Sequence, residues 1–414
     1  MRSALSALRA EVLERGALVN YLICLATTTT EGMLQVLYAP YLDAAGYALP
    51  VIGVLTSTLS VMRLVSRVPA GTGYRAERAR RQIVLGLIAL SATTAAFAFG
   101  GMPFLVIPVS LAHGFAFGSV GTVNLAATID ATGGKRAGAI MAWYTAALST
   151  GYAAGSFLGG ALADAYGLPV ALFVAGLVPF LGILAALALP RIEAAPHPVE
   201  RGGGLGGLLR AGARIDQRVW LAFAIVLYVN LLADSVDGFF SLYGLAIGLP
   251  LAASGALRGL KSASATFIRF GSIVLFRFVD HTSINFWAVL VMGVAAFLIP
   301  FAGANVALLA VVFVASGLCR GILRVTSTAT VAEMRAEGKD VGLASGIYNA
   351  GLDIGAIVGP AVGGVVASAV GIPAMYQIVA VGSLAMYFAV ALSTAPGRAS
   401  LQLRRRAVRS VPTR

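Results

Sequence analysis

The sequence predicts an all-α membrane protein whose twelve transmembrane helices form two six-helix parallel repeats. Of the 414 residues, 58% are hydrophobic and 11% are charged, which is too apolar for a soluble fold of this size. Apolar runs long enough to cross a hydrocarbon core of about 30 Å recur along the chain. In addition, one glycine-rich segment in the first half of the chain reappears in the second half.

The apolar runs fall into two groups of six. In the first group we place helices near 17–40, 50–71, 82–100, 103–128, 138–163 and 168–189. In the second group we place helices near 219–245, 252–278, 285–303, 304–329, 342–368 and 372–395. The polar stretch between them contains prolines and the run GGGLGG, which predicts a linker. The predicted division is an N-terminal segment 1–16, a first half 17–189, a linker 190–218, a second half 219–395 and a basic tail 396–414.

The internal repeat supports this division. Segment 138–169 aligns without gaps on segment 342–373, and 12 of 32 positions are identical. Tyr144 falls on Tyr348 and Pro169 on Pro373. In the same register, glycines fall on glycines at Gly151, Gly155, Gly159, Gly160 and Gly167, which match Gly355, Gly359, Gly363, Gly364 and Gly371. Because each copy holds six helices, both copies have the same orientation in the membrane, which is the parallel-repeat arrangement of alternating-access transporters.

Basic residues predict the orientation. The 30 Lys and Arg outnumber the 17 Asp and Glu, and they concentrate in the termini, the linker and alternate loops. Lys and Arg beside spanning helices stay on the cytoplasmic side, so we expect a multi-pass protein of the cell (inner) membrane with both termini cytoplasmic. The positive charge is then a topology signal and predicts no nucleic-acid partner. The N-terminal segment carries charge among its leucines and predicts a cytoplasmic helix instead of a signal peptide.

Cysteine content and missing motifs exclude several function classes. Cys24 and Cys319 both lie in apolar runs, so we expect no disulfide framework, no metal site and no cofactor. The chain has no GxxxxGK[ST], HExxH or GxSxG run, which are the sequence signatures of ATP hydrolysis and of familiar hydrolases. We therefore expect no enzyme, and transport energy must come from a gradient.

Two kinds of motif recur in both halves. The loop after the second helix reads GYRAERARR, and a weaker copy, RFVDH, contains Asp280; the first supplies Gly73, Glu77, Arg78, Arg80 and Arg81. The fifth helix contains GSFLGG and the eleventh GPAVGG, which supply Gly155, Gly159, Gly160, Gly359, Pro360, Gly363 and Gly364. Glycines four apart allow close helix approach, and a proline in a helix permits a bend.

These motifs resemble those of the major facilitator superfamily, and the resemblance covers both halves. Here Glu77 replaces the usual Asp of the loop motif, and the fifth-helix copy of the exporter motif GPxxGG lacks its proline. The resemblance implies a cytoplasmic gating loop and a cavity formed mainly by helices one, four, seven and ten. For the glycines, generic helix packing and a dedicated antiporter role remain alternatives.

Four charged residues inside predicted helices are related by the repeat. Glu31 maps to Asp237, and Arg63 maps to Arg269, both at an offset of 206. In each half a short turn joins the first and second helices. Counting residues from that turn places all four charged residues near mid-membrane. Charged side chains there are costly and usually face the bundle interior, and an acid beside an arginine can act as a proton-linked or substrate-linked switch. We therefore expect Arg63 within reach of Glu31, and Arg269 within reach of Asp237, in at least one conformation; a static packing pair is the alternative.

Three further residues are candidates. Asp353 falls on Ser149 in the repeat, so it breaks the symmetry, and we favour a coupling role. Arg320 shares a helix face with Arg324, where the two could meet an anionic substrate or hold carboxylates such as Glu333. His113 could titrate near neutral pH, although a lone histidine is more often a packing residue.

Together these features predict a monomeric secondary transporter that moves a small-molecule substrate by alternating access. Proton-coupled efflux, with protons as the coupling ion, is the leading hypothesis. Uptake or exchange of an anionic metabolite is the alternative, because the predicted helices contain more arginine than ordinary efflux pumps have. A channel or a membrane sensor would share the topology but would not show saturable flux that responds to a proton gradient.

The orientation can be tested by cysteine labelling in intact cells. We expect Ala44→Cys to react with a membrane-impermeant reagent added outside, and Gly203→Cys to react only after permeabilisation, because basic flanks are held in the cytoplasm. Labelling of the linker position in intact cells would reverse the orientation.

Overall fold

The computed structural model of the chain describes residues 15–99, 103–131, 137–189, 216–275, 281–336 and 341–394. Asp280, most of the predicted segment 1–16, most of the linker and the tail 396–414 lie outside the described residues. Within the described ranges the chain is helical and contains no strand, which confirms the all-α prediction.

Twelve long helices are described, six in each half, and they coincide with the twelve predicted spans. The helices of the first half are α1 (Arg15–Ala44), α2 (Leu49–Thr72), α3 (Ala79–Phe97), α4 (Pro103–Ala131), α5 (Ala137–Tyr166) and α6 (Leu168–Leu187). Those of the second half are α7 (Gln217–Ala246), α8 (Leu251–Leu275), α9 (His281–Ala302), α10 (Val306–Ala336), α11 (Val341–Val370) and α12 (Ile372–Ser393). A short 3₁₀ turn, Ala76–Arg78, precedes α3.

Eight of the described helices are long and apolar enough to cross a membrane, namely α2, α4, α6, α7, α9, α10, α11 and α12. Three of the other four, α1, α5 and α8, contribute polar residues to a central cavity. A polar face that lines a cavity is compatible with a spanning helix, because that face does not meet lipid. The helix bundle is therefore that of a multi-pass membrane protein.

The two halves pack by the same rule. Within each half the first helix lies along the fifth, so that α1 packs on α5 and α7 on α11. Between the halves the main contacts are α2 with α11 and α5 with α8, which are equivalent pairs in the repeat. The duplicated sequence thus gives a pseudo-twofold arrangement with two matching interfaces between the halves.

The repeated glycines lie at these contacts. A Cβ added at Gly159 would stand 2.8 Å from the Cα of Met33 in α1, and one at Gly359 would stand 2.7 Å from the carbonyl oxygen of Leu231 in α7. Gly155 and Gly363 face the same two helices. The glycine motifs therefore allow backbone contact between α5 and α1 and between α11 and α7.

The last glycine of each motif faces the other half of the protein. Gly160 contacts the backbone of Leu251 at the start of α8, and Gly364 contacts that of Leu49 at the start of α2. The carbonyl of Pro360 meets Gly53. These contacts show a packing function for GSFLGG and GPAVGG.

The bundle has two different ends. We call the end where α1 and α7 begin the linker side, and the end with the turns α1–α2, α5–α6, α7–α8 and α11–α12 the hairpin side. One apolar core, which includes Leu37, Leu55, Phe240 and Leu257, joins both halves toward the hairpin side, whereas the other buried apolar clusters each stay within one half. Among the described residues the halves are thus closed on the hairpin side.

A carboxylate completes this closure. The backbone N–H groups of Leu251 and Ala252, at the start of α8, donate to the Asp164 carboxylate of α5 at 3.0 and 2.7 Å. An acid at a helix N-terminus satisfies amides that have no partner within the helix and interacts favourably with the helix dipole. Because Asp164 belongs to the first half and α8 to the second, this cap joins the halves.

The glycine packing predicts opposite effects for two identical substitutions. Gly155→Ala places a methyl group against the backbone of Thr29 and Met33, so we expect it to lower the free energy of unfolding by about 1–3 kcal/mol. In Gly382→Ala the new Cβ meets no atom within 4 Å, and better helix propensity should raise stability by about 0.5–1 kcal/mol. Thermal unfolding of both detergent-purified variants checks this; equal losses would contradict the packing assignment.

Candidate functional site

A cavity of about 870 Å³ lies between the two halves. It is lined by the expected helices α1, α4, α7 and α10, and also by α2, α5, α8 and α11. It extends from mid-height toward the linker side. The charged side chains that line it are Glu31, Arg63, Arg67, Asp234, Asp237, Arg258, Lys261, Arg269, Arg320, Arg324 and Asp353.

Glu31 of α1 is at the centre of the charges of the first half. Its side chain is 1% exposed and forms an ion pair with Arg63 of α2, the partner expected from helix depth. The Arg63 guanidinium also lies 4.7 Å from the ring centre of Phe117 in α4, a cation–π contact. Close approach of Gly118 to the backbone of Arg63 brings α4 against α2 at this level.

His113 of α4 is the second partner of Glu31. Its Nε2 lies 3.2 Å from Glu31 Oε2, and its Nδ1 lies 3.2 Å from the Thr94 hydroxyl of α3. His113 is fully buried, as a packing residue would be, but it is in hydrogen-bond contact with a carboxylate. No pattern in the sequence places Thr94 at this site.

The Thr94 hydroxyl gives the second ring nitrogen of His113 a hydrogen-bond partner. A protonated imidazole donates from both nitrogens, and Thr94 then accepts from Nδ1 while donating to the carbonyl of Leu90 at 2.7 Å. In a neutral imidazole that keeps its proton on Nε2, the hydroxyl can rotate and donate to Nδ1 instead. Both charge states therefore leave the buried ring with hydrogen-bond partners.

Asp237 of α7 has different partners from those expected. Lys261 Nζ lies 2.9 Å from its Oδ1, and Arg320 Nη1 lies 3.7 Å from its Oδ2. The expected pairing with Arg269 is not formed in this structure. Lys261 lies ten residues after Leu251 and Asp237 nine residues before Ala246, which puts them at equal depth, whereas Arg269 is about two helical turns further from the hairpin side.

Arg258 of α8 connects the halves through carbonyl groups. It donates to the backbone carbonyl of Asp237 at 2.5 Å, and to the backbone and side-chain oxygens of Gln35 in α1 at 2.9 and 3.2 Å. Its buried guanidinium is thus held by dipoles. The sequence analysis did not single it out, although an arginine inside an apolar run was a usable signal.

Asp353 of α11 forms an ion pair that crosses between the halves. Arg67 of α2 donates to both of its carboxylate oxygens, at 2.9 and 3.0 Å. Arg67 was missed by sequence analysis, although it lies one helical turn after Arg63.

Arg320 of α10 also faces Asp234 of α7, at 4.0 Å. The side chain of Glu333, the other carboxylate expected near Arg320, lies outside the described residues.

The predicted gating loop lies at the linker side. Gly73 ends α2, and Glu77, Arg78, Arg80 and Arg81 are exposed on the 3₁₀ turn and the first turn of α3. Within the described ranges these four charges form no ion pair with one another. The loop is fixed by Tyr74, whose hydroxyl donates to Asp130 of α4 at 2.8 Å; burial and this carboxylate raise the pKa of Tyr74.

The fold and the cavity define a membrane transporter built from two six-helix repeats. The family model of the Major Facilitator Superfamily matches residues 21–302 and 282–413, and the chain belongs to that family. The family is one of transporters and not of enzymes.

A match to an individual protein agrees with the family assignment. The chain is 28% identical over 178 residues to an uncharacterized MFS-type transporter of Methanocaldococcus jannaschii, a match that covers 42% of this chain and 45% of that relative's length.

Two solved structures show the same fold. A mutant of the nucleoside transporter NupG has a TM-score of 0.74 at 15% identity, with 90% of this chain and 98% of that chain covered. A bacterial homolog of the human lysosomal transporter Spinster, inward-facing and unoccupied, has a TM-score of 0.67 at 18% identity, with 93% and 96% covered.

The two arginines of α2 predict contrasting losses for one substitution. Arg63→Gln leaves the buried Glu31 with His113 as its remaining partner and should lower unfolding free energy by about 3–5 kcal/mol. Arg67 has a side chain that is 49% exposed, so Arg67→Gln should cost about 1 kcal/mol or less. Thermal unfolding of the two variants tests the difference.

A double-mutant cycle then separates structure from coupling. Glu31→Gln combined with Arg63→Gln should recover much of the stability, since no buried charge is left alone. Yield and gradient-driven flux are measured together. If Arg63→Gln lowers yield while the surviving protein transports normally, the pair is structural.

Proposed function

We propose that this protein is a proton-coupled secondary transporter that moves a small organic solute across the inner membrane by alternating access. The observation that supports this most directly is the position of Glu31. The carboxylate lines the cavity that a solute would enter, and it contacts two cationic or titratable side chains, Arg63 and His113. A proton bound there changes the charge of the cavity wall.

The groups that face this site come from several helices. Arg63 of α2 and His113 of α4 contact the carboxylate, Tyr152 of α5 lies within electrostatic range of it, and Asp234 of α7 lies within range of Arg63. Protonation of Glu31 weakens its hold on Arg63, so that the guanidinium becomes available to another acceptor. Protonation of Glu31 is thereby linked to the binding of other acceptors by Arg63 in the cavity.

The closed hairpin side supports alternating access. The cavity reaches toward the linker side, which the basic residues assign to the cytoplasm. The matching α2–α11 and α5–α8 interfaces allow the halves to rock about the site, as parallel-repeat transporters do. In this proposal the Arg67–Asp353 pair and the loop from Gly73 to Arg81 adjust as the linker side closes.

Export by proton antiport is the first candidate for direction, because the glycine motifs resemble those of exporters. Uptake or exchange of an anionic metabolite is the second, because cations outnumber carboxylates in the cavity wall. The two modes differ in how solute binding affects proton binding. In antiport, solute binding displaces a proton, whereas in symport it promotes proton binding.

Proton coupling predicts a specific loss in Glu31→Gln. Proteoliposomes are given a pH gradient and screened with labelled dicarboxylates, sugar phosphates, amino acids and nucleosides. We expect wild type to accumulate or expel a compound in response to the gradient, and Glu31→Gln to lose this response while retaining exchange of that compound without a gradient, because the glutamine cannot exchange a proton.

Asp43→Asn provides a matched control, since Asp43 lies exposed on the same helix near the hairpin side. We expect this variant to respond to the pH gradient as wild type does. A gradient response that persists in Glu31→Gln would remove Glu31 from the coupling mechanism, and Asp353 would then be the next residue to test.

A further inference from the structure

Arg320 and Arg324 of α10 and Arg269 of α8 form a cationic group in the cavity wall, which we call the arginine cluster. Arg269 lies within electrostatic range of both α10 arginines, and Arg324 lies beside the Tyr348 hydroxyl of α11. All three side chains line the cavity. The Glu31 site is on other helices.

Close helix packing brings these like charges together. On α10, Gly317 and Gly321 alternate with the arginines and meet the backbone of α8; a Cβ at Gly321 would stand 2.7 Å from the carbonyl oxygen of Ala265. Arg320 and Arg324 lie one helical turn apart on α10, and like charges at that spacing repel one another. An anion that binds between these two arginines lowers this repulsion.

Three of the four described carboxylates of the cavity bind other cations at hydrogen-bond distance: Asp353 binds Arg67, Glu31 binds Arg63 and Asp237 binds Lys261. Arg320 lies 3.7 Å from Asp237 and 4.0 Å from Asp234, both longer than the 2.7–2.9 Å typical of a charge-assisted hydrogen bond. No carboxylate in the described ranges contacts Arg324, and its Nη1 is buried without a hydrogen-bond partner there.

The charges of the described cavity wall agree with an anion site. Among the described residues the wall carries seven Lys or Arg side chains and four Asp or Glu, an excess of three positive charges. Opposite the cluster, the wall from the first half presents hydroxyl groups, including Thr28, Ser60 and Tyr152. A cavity of about 870 Å³ fits a small organic molecule.

We infer that the transported solute is a small organic anion whose carboxylate or phosphate group binds between Arg324 and Arg320, with Arg269 on the facing helix. The planar fork of an arginine matches the paired oxygens of either group. The hydroxyl-bearing wall of the first half faces the uncharged part of the solute. This inference rests on the proposed transport function and specifies the solute class of that cavity.

The test is a binding titration on the full-length protein in detergent, at fixed pH and ionic strength and with no gradient. The probes are two matched pairs, glucose 6-phosphate with glucose and succinate with succinamide, together with inorganic phosphate. We expect at least one anion to bind and raise the unfolding temperature, and its neutral analogue to do neither. The two pairs distinguish a phosphate site from a carboxylate site.

Arg324→Gln should weaken binding of that anion about tenfold or more, because charge-assisted hydrogen bonds are lost. It should also raise the unfolding temperature of the empty protein, because one of the two like charges spaced one turn apart on α10 is removed; a purely structural arginine would lower it. Arg324→Lys keeps the charge but not the fork and should bind with intermediate affinity. Arg75→Gln removes an exposed arginine outside the cavity and should bind as wild type does.

The inference is wrong if the neutral analogues bind as well as the anions, if none of the anionic probes binds to wild type, or if Arg324→Gln binds them unchanged. If Arg324→Gln does not fold, an Arg324→Lys variant with wild-type affinity overturns it equally. Because binding is measured without a gradient, failure of proton coupling leaves this result intact, and a cavity selective for neutral probes leaves proton-coupled transport intact.

Discussion

A charged side chain within the membrane core costs several kcal/mol unless an opposite charge or a hydrated cavity compensates it. In the described part of the chain, eleven charged side chains line one cavity. This constraint explains much of the arrangement. Each described carboxylate lies opposite a cation from a neighbouring helix. Arg258 instead donates to backbone carbonyl oxygens, one on α7 and one on α1 in the other half. The cations then exceed the carboxylates, so the cavity is both the place where the charges are tolerated and the place where they can act.

Glycine makes that arrangement possible. Gly159 and Gly359 bring α5 onto α1 and α11 onto α7, and Gly321 brings α10 onto α8, so the helices that carry charges lie in backbone contact. In a membrane, apolar surface drives helix association weakly, and close packing of small residues supplies much of the attraction. The same glycines that resemble an exporter motif therefore have a structural explanation in this protein, and the charges are the better guide to its chemistry.

Sequence alone predicted the twelve helices, since hydropathy and length are enough to mark a span. It also predicted the Glu31–Arg63 pair, because α1 and α2 are joined by a short turn and depth can be counted from it. The same counting failed for Asp237, where Lys261 stands at the right depth and Arg269 does not. It could not find Arg67–Asp353, because that pair depends on how the two halves dock. His113 meets Glu31, and Thr94 meets His113, through packing of α3 and α4, which no spacing in the chain encodes.

Of the polar contacts between the halves, two lie at opposite ends of different interfaces: the Asp164 cap on α8 at the hairpin side, and Arg67–Asp353 on α2 and α11 nearer the linker side. Both lie where water can solvate the parted groups, so each contributes only on the order of 1 kcal/mol. Thermal motion can break a contact of that strength, and breaking one of the two ties does not require breaking the other. In the proposed alternating-access cycle these two ties therefore add little to the free-energy difference between the two open states, and a bound solute or a single proton can offset their contribution.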